Sequence, residues 1–341
     1  MLQKKIPILY LIISTIVGSS FTFFAFSTAQ KTQFQKENIE TPVNAAAANP
    51  GCNYNILRLS GYQYVHPVSG TDPDCPSPKY NTLENEILNF IEQEKAVNDL
   101  VSASVYINDF SQNEWMDVNE NEQYHPGSLL KLASLITILR MAESKPGILN
   151  EEVLFPTVLK EGIPAQTFNS KAIQPGHKYK IKELLRYMIA FSDNNATGLL
   201  HPYLDVALFQ KIFTDLNLPA IDIHDTNYQI SVKKFSRFIR VLYDAGYLTI
   251  SASEYAMSLL AEGDFNYGIT KSLPPALKVA HKFGEFGNKP FSELHETAII
   301  YLDKRPYLIT VMTRGHDVKK QAATIASISK MVYDKMSSSP N

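Results

Sequence analysis

Tyr124-His125-Pro126-Gly127-Ser128-Leu129-Leu130-Lys131-Leu132-Ala133 runs directly into an apolar stretch that ends at Leu139. The Pro126-Gly127 pair marks a turn, so the spacing predicts a helix that opens at Ser128 and continues to Glu143. Residues three apart share a helix face, which stacks Lys131 one turn above Ser128. A serine hydroxyl is a weak nucleophile until a neighbouring base takes its proton, and a lysine whose pKa is lowered by burial can be that base. Taken alone, the spacing also occurs in ordinary helix starts with a solvated lysine, so its meaning depends on the rest of the chain.

Two further stretches carry weight. Ser192-Asp193-Asn194, within Met188-Ile-Ala-Phe-Ser-Asp-Asn-Asn-Ala-Thr197, is on its face a helix cap, since all three residue types are preferred there. Val279-Ala-His-Lys-Phe-Gly-Glu285 sets Lys282 and Gly284 on a β-type run, where a lysine can also serve to protect a sheet edge.

Outward from these points the pattern is regular. A helix is predicted over Asn81 to Asn98, then a strand over Val101 to Ile107 with a hairpin partner at Glu114 to Val118. The middle is helical, over Ile181 to Ala190, Asn194 to Tyr203, Val206 to Leu216, Val232 to Ala245 and Ala252 to Ala261. Strands return at Val279 to Phe286, Leu294 to Leu302 and Pro306 to Thr313, before a closing helix over Asp317 to Met336. Strands from both ends around a helical middle imply an α+β fold: an antiparallel sheet of five strands flanked by helices, with an inserted helical lobe. A cleft is expected where lobe and sheet meet.

In this order, the three motifs resemble those of the penicillin-recognising serine hydrolases, the superfamily of class A β-lactamases and penicillin-binding proteins, over about residues 81 to 336. The resemblance implies that Ser128 attacks the carbonyl of a β-lactam or D-alanyl peptide and becomes acylated, with Lys131 as a candidate base. It implies that Ser192 passes a proton to the leaving nitrogen, and that Lys282 lowers the Ser192 pKa and attracts the substrate carboxylate. Asn194 would orient Lys131 and the substrate amide. The backbone amides of Ser128 and Glu285, with Gly284 beside them, would form the oxyanion hole. Asp193 is expected to pin its own loop.

The chain departs from that pattern twice. Phe283 stands between Lys282 and Gly284, where the enzymes mostly carry a hydroxyl residue; facing the cleft it would weaken substrate binding, and facing the core it would be silent. The connection Leu216 to Asn227 also lacks the glutamate and asparagine that position the deacylating water in class A enzymes. Its Asp222 and Asp225 read as turn and cap residues. Three functions stay open: a β-lactamase-like hydrolase, a membrane-tethered D-alanyl peptidase or other peptidoglycan amidase, and a non-catalytic module binding peptidoglycan. Tyr124, Phe191 and Phe283 could form cleft walls, with the core as the alternative for Phe191.

The rest of the chain bounds these readings. With 341 residues, 45% of them hydrophobic and 19% charged, it is globular, and 32 basic against 34 acidic residues present no field for nucleic acid. Lys4 and Lys5 precede a stretch from Ile6 to Phe26 without charge, long enough to span a bilayer. Export is therefore expected, with this helix as the membrane anchor or, through Ser27-Thr28-Ala29, as a cleaved signal. Residues 30 to 80 then read as an extracytoplasmic tether carrying the only cysteines, Cys52 and Cys75, and residues 337 to 341 as a tail. Export would permit a disulfide between the two, closing a loop of about two dozen residues for about 3 kcal/mol. No cofactor is expected. His281 and His295 lack ligand spacing and read as strand residues.

Overall fold

Helix α1 (Asn81–Val97) packs Leu83, Ile87 and Ile91 against the strands that follow it, the i, i+4, i+8 spacing of a single helix face. In the computed structural model the described residues are 57–338, apart from 59–62, 67, 71–74, 98, 113, 157–165, 169, 223–226 and 288–289. The apolar stretch from Ile6 to Phe26, the tether up to residue 56 and Cys52 lie outside them. Among the described residues no helix is long and apolar enough to cross a membrane.

Strands β1 (Leu100–Asp109) and β2 (Glu114–Val118) form a hairpin. They join three strands from the other end of the chain, β3 (Val279–Phe286), β4 (Ser292–Ile300) and β5 (Tyr307–Gly315), in the order β2-β1-β5-β4-β3. All four pairings are antiparallel, as expected. The sheet is one strand wider than predicted, because Cys75–Pro76 pairs in parallel with Glu114 and Trp115 at its edge. Two residues leave no periodicity to read.

Both faces of the sheet are covered, so β4 and β5 are buried almost along their whole lengths. One face meets α1 and the closing helix α9 (Val318–Ser338); the other meets the helical lobe. A buried network joins the two termini: Arg305 Nε donates to Asp109 Oδ2 at 2.9 Å, Tyr80 OH donates to the same oxygen at 2.9 Å, and an Arg305 guanidinium nitrogen donates to Met336 O at 3.0 Å. Such a network stabilises only because each member is satisfied.

The lobe contains α2 (Lys131–Ser144), α3 (Ile181–Ala190), α4 (Asn194–Leu200), α5 (Val206–Asp215) and, past the connection, α6 (Val232–Phe235), α7 (Arg237–Tyr243) and α8 (Ile250–Ala261). The single helix predicted over Val232 to Ala245 is broken at Ser236. Its hydroxyl bonds Val232 O and Thr310 Oγ1, both at 2.8 Å, and such back-bonding to the i−4 carbonyl bends helices. The segment before the sheet is held by the Glu254 carboxylate, which accepts from the backbone amides of Gln63, Tyr64 and Val65 at 2.8–2.9 Å.

Candidate active site

Gly127–Leu130 is a 3-10 turn, and the α-helix begins only at Lys131. The predicted start at Ser128 is thus one turn early for an α-helix, yet the i,i+3 relation survives, because a 3-10 turn eclipses such residues. Gly127 has φ +53°, and a Cβ there would lie 2.2 Å from Glu285 O. A Cβ on Gly284 would lie 2.7 Å from Leu129 N and 2.8 Å from Pro126 O. Two glycines therefore let the serine turn lie directly on strand β3, which brings the backbone of residue 285 beside that of Ser128.

Ser192 ends the α3 connection with φ +55°, a left-handed conformation that costs a non-glycine residue about 1 kcal/mol or more. The neighbouring Asp193 caps α4 through Asn195 N and also accepts from Ile173 N, both at 2.7 Å. It pins the loop, and the loop in turn fixes the Ser192 hydroxyl. That hydroxyl accepts from Lys282 Nζ at 2.8 Å and from Lys131 Nζ at 3.2 Å. Lys131 also donates to Ser192 O at 2.5 Å and Asn194 Oδ1 at 2.7 Å; Lys282 also donates to Phe283 O at 2.7 Å.

Burial dominates the electrostatics. It pushes the Lys131 ammonium down to about 7, against a smaller opposing pull from Asp193. Lys282 is lowered by burial and then by the charge on Lys131. Near neutral pH Lys131 can therefore release its proton and act as a base, and the Ser192 hydroxyl lies between two amines able to resupply a proton.

The sequence from residue 82 to 336 matches the β-lactamase enzyme family. The chain belongs to that family. No curated protein matches it. Among solved structures, it is similar to PBP-A at 17% identity and TM-score 0.63, over 77% of this chain and 97% of that one. It is similar to a β-lactamase from Chitinophaga pinensis at 17% identity and TM-score 0.65, over 74% and 99% of the two chains. A class A β-lactamase from Mycobacterium abscessus shares 20% identity at TM-score 0.62, over 75% and 99%. At such identities these structures share the fold.

Within this β-lactamase-family protein, Phe283 lies on the side of β3 opposite Lys282, as strand alternation requires, and stacks on Phe265 with ring centroids 4.3 Å apart. It faces the core. Tyr124 and Phe191 are buried as well, so none of these three aromatics lines the cleft. The cleft of about 860 Å³ is lined by Ser128, Lys131, Asn194 and Glu285, with Phe286 and Phe291 at its rim. His281 bonds Glu296 Oε1 at 2.7 Å, and His295 bonds His125 O at 2.9 Å, both within buried strand packing. Among the described residues no cluster of His, Cys, Asp or Glu could hold a metal ion.

One residue bonded to both serine hydroxyls was invisible in the sequence. Gln166, in the connection between the first and second motifs, donates through Nε2 to Ser128 Oγ at 2.8 Å and to Ser192 Oγ at 3.3 Å. The Glu285 carboxylate holds the adjoining backbone, accepting from Thr167 N at 2.8 Å and Phe168 N at 3.1 Å. A polar residue in a long connection has no periodicity or partner spacing, so no local signal marks it.

Proposed function

We propose that this protein is an acyl-transferring serine hydrolase that opens a β-lactam, or the related amide of a D-alanyl peptide, through an ester on Ser128. The observation that carries this reading is the Ser192 hydroxyl held between the Nζ atoms of Lys131 and Lys282, beside the cleft that Ser128 lines. In the proposed step, Lys131 takes the Ser128 proton while Oγ bonds to the carbonyl carbon. The C–N bond then breaks, Ser192 gives its proton to the nitrogen, and a lysine replaces it. The Ser128 and Glu285 amides would hold the oxyanion. A variant of PBP-A, a protein of the same fold, is known as an acyl-enzyme with penicillin G.

A second observation bears on turnover. The carboxylates among the described cleft-lining residues are Glu285 and Asp317, and each is committed to backbone amides: Glu285 to Thr167 and Phe168, Asp317 to Lys319 and Lys320. A carboxylate so engaged is poorly placed to activate water, which favours slow release and the peptidase-like reading over a fast β-lactamase. The Ile6 to Phe26 stretch places this activity outside the cell membrane in our reading, where peptidoglycan is at hand.

Incubation with a fluorescent penicillin tests the proposal. Wild-type protein should carry one label per chain and lose it slowly, and Ser128→Ala should carry none. Labelling that persists in Ser128→Ala would sink the nucleophile assignment, and rapid multiple turnover would restore the β-lactamase reading.

A further inference from the structure

An amide substrate must present its leaving nitrogen to two groups at once. Its carbon must come within reach of Ser128 Oγ, and the attached nitrogen must come within hydrogen-bond distance of the proton donor, Ser192 Oγ. The carboxamide nitrogen of Gln166 already lies 2.8 Å from the first oxygen and 3.3 Å from the second. It stands in the space that the reacting amide must enter. Moreover, Ser192 is 0% exposed and Lys282 2% exposed, so the proton-donating end of the site is closed while Ser128 still lines the open cleft.

The closure is built from three separate contacts. Thr167 N and Phe168 N both bond the Glu285 carboxylate, so the strap crosses the edge strand of the sheet. The Phe168 ring packs between Phe265 at 5.1 Å and Tyr267 at 4.9 Å, centroid to centroid, with Phe283 behind them at 6.4 Å. Gln166 itself then reaches over to the two hydroxyls. Glu285 thus serves both sides: its backbone borders the serine turn and its side chain fastens the strap.

We propose that Gln166 is a built-in competitor for the acylation site, seated between the two hydroxyls that a substrate amide must reach and held there by the Glu285–Phe168 latch, so that substrate must displace it before Ser128 can react. This rests on the acyl-Ser128 reading. A site open for only a fraction of the time binds with an apparent affinity reduced by that fraction. An open population of about one in ten would slow acylation at low substrate about tenfold.

The test compares wild-type protein with Gln166→Ala, and with Phe168→Ala, which loosens the strap but keeps the glutamine. Second-order acylation by a fluorescent penicillin should rise about five- to twentyfold in both. A parallel measurement avoids the chemistry: calorimetric binding of benzylpenicillin to Ser128→Ala should tighten on adding Gln166→Ala, by a smaller factor because Ser128→Ala already removes the 2.8 Å bond that seats the glutamine. Unchanged or weaker binding in the double variant overturns the competitor, as does slower acylation in Gln166→Ala, which would make the glutamine a helper of the reaction. Labelling absent from every Ser128-containing variant would remove the nucleophile reading alone, leaving the binding comparison to decide the role of Gln166.

Discussion

Lys282 donates to Ser192 Oγ at 2.8 Å, joining residues 90 apart in the chain, and both are buried at the contact between strand β3 and the helical lobe. The hydroxyl is therefore tied to the sheet by Lys282 and to the lobe by its own loop. If Ser192 is the proton donor of our proposal, replacing it with alanine should lower the rate of Ser128 acylation by about 10²- to 10⁴-fold. Stopped-flow labelling would measure it, and a loss below tenfold would assign the proton transfer elsewhere.

Lys131 supplies a pH dependence with a definite sign. Burial holds its folded pKa near 7, so acylation should climb as pH rises through that value and then level off. Lys131→Arg, which stays charged, should remove the climb together with most of the rate. Stability is linked in the same direction. Between pH 7 and about 10 the unfolded chain binds the proton that the folded one has lost, so the unfolding free energy should rise relative to Lys131→Met by up to about 1.4 kcal/mol per pH unit. Urea unfolding at pH 7 and pH 9 would show the wild type gaining stability relative to Lys131→Met, and a relative loss would contradict the assignment.

Phe283 occupies the position where the related enzymes mostly carry a hydroxyl residue, and its ring is stacked on Phe265 in the core. Phe283→Thr should cost about 2 to 4 kcal/mol of stability by leaving a cavity. The ratio of affinities for a penicillin and its methyl ester should stay the same, because residue 283 does not face the carboxylate. A ratio that rises several-fold would place the side chain in the cleft after all.

Gly127 tests the contact between the serine turn and the strand. Gly127→Ala adds a Cβ that would meet Glu285 O at 2.2 Å on a backbone already at φ +53°. The turn must lift from β3, so acylation should fall more than tenfold, while far-UV circular dichroism stays that of the wild type and stability drops by about 1 to 3 kcal/mol. Normal acylation would mean that the close approach is dispensable.

Much of the molecule could be read from order and period alone. The strands β3 to β5 and most helices were predicted within a few residues, because each carries enough apolar positions to define a face. Ser128, Lys131, Ser192, Asn194 and Lys282 were singled out by three motifs in order and the family these resemble, and the fold joins Lys131, Ser192, Asn194 and Lys282 in one network beside the cleft that Ser128 lines. The failures were also physical. The helix break at Ser236 comes from a bond to Thr310 on the sheet, and the added edge strand at Cys75–Pro76 comes from pairing with a distant partner. Neither leaves a mark on nearby residues.

What the sequence by itself determined is the identity of the polar side chains in the three motifs and the elements that carry them, since residue types are written in the chain and helices follow from period. The tertiary structure decided everything that depends on distance across the fold. It turned Phe283 into the core, moved the Lys131 pKa by burying it, bound Glu285 to the Thr167 and Phe168 amides, and set Gln166 on two hydroxyls that lie 38 and 26 residues away in the chain. Burial and hydrogen-bond geometry are properties of neighbours, and only folding chooses those neighbours.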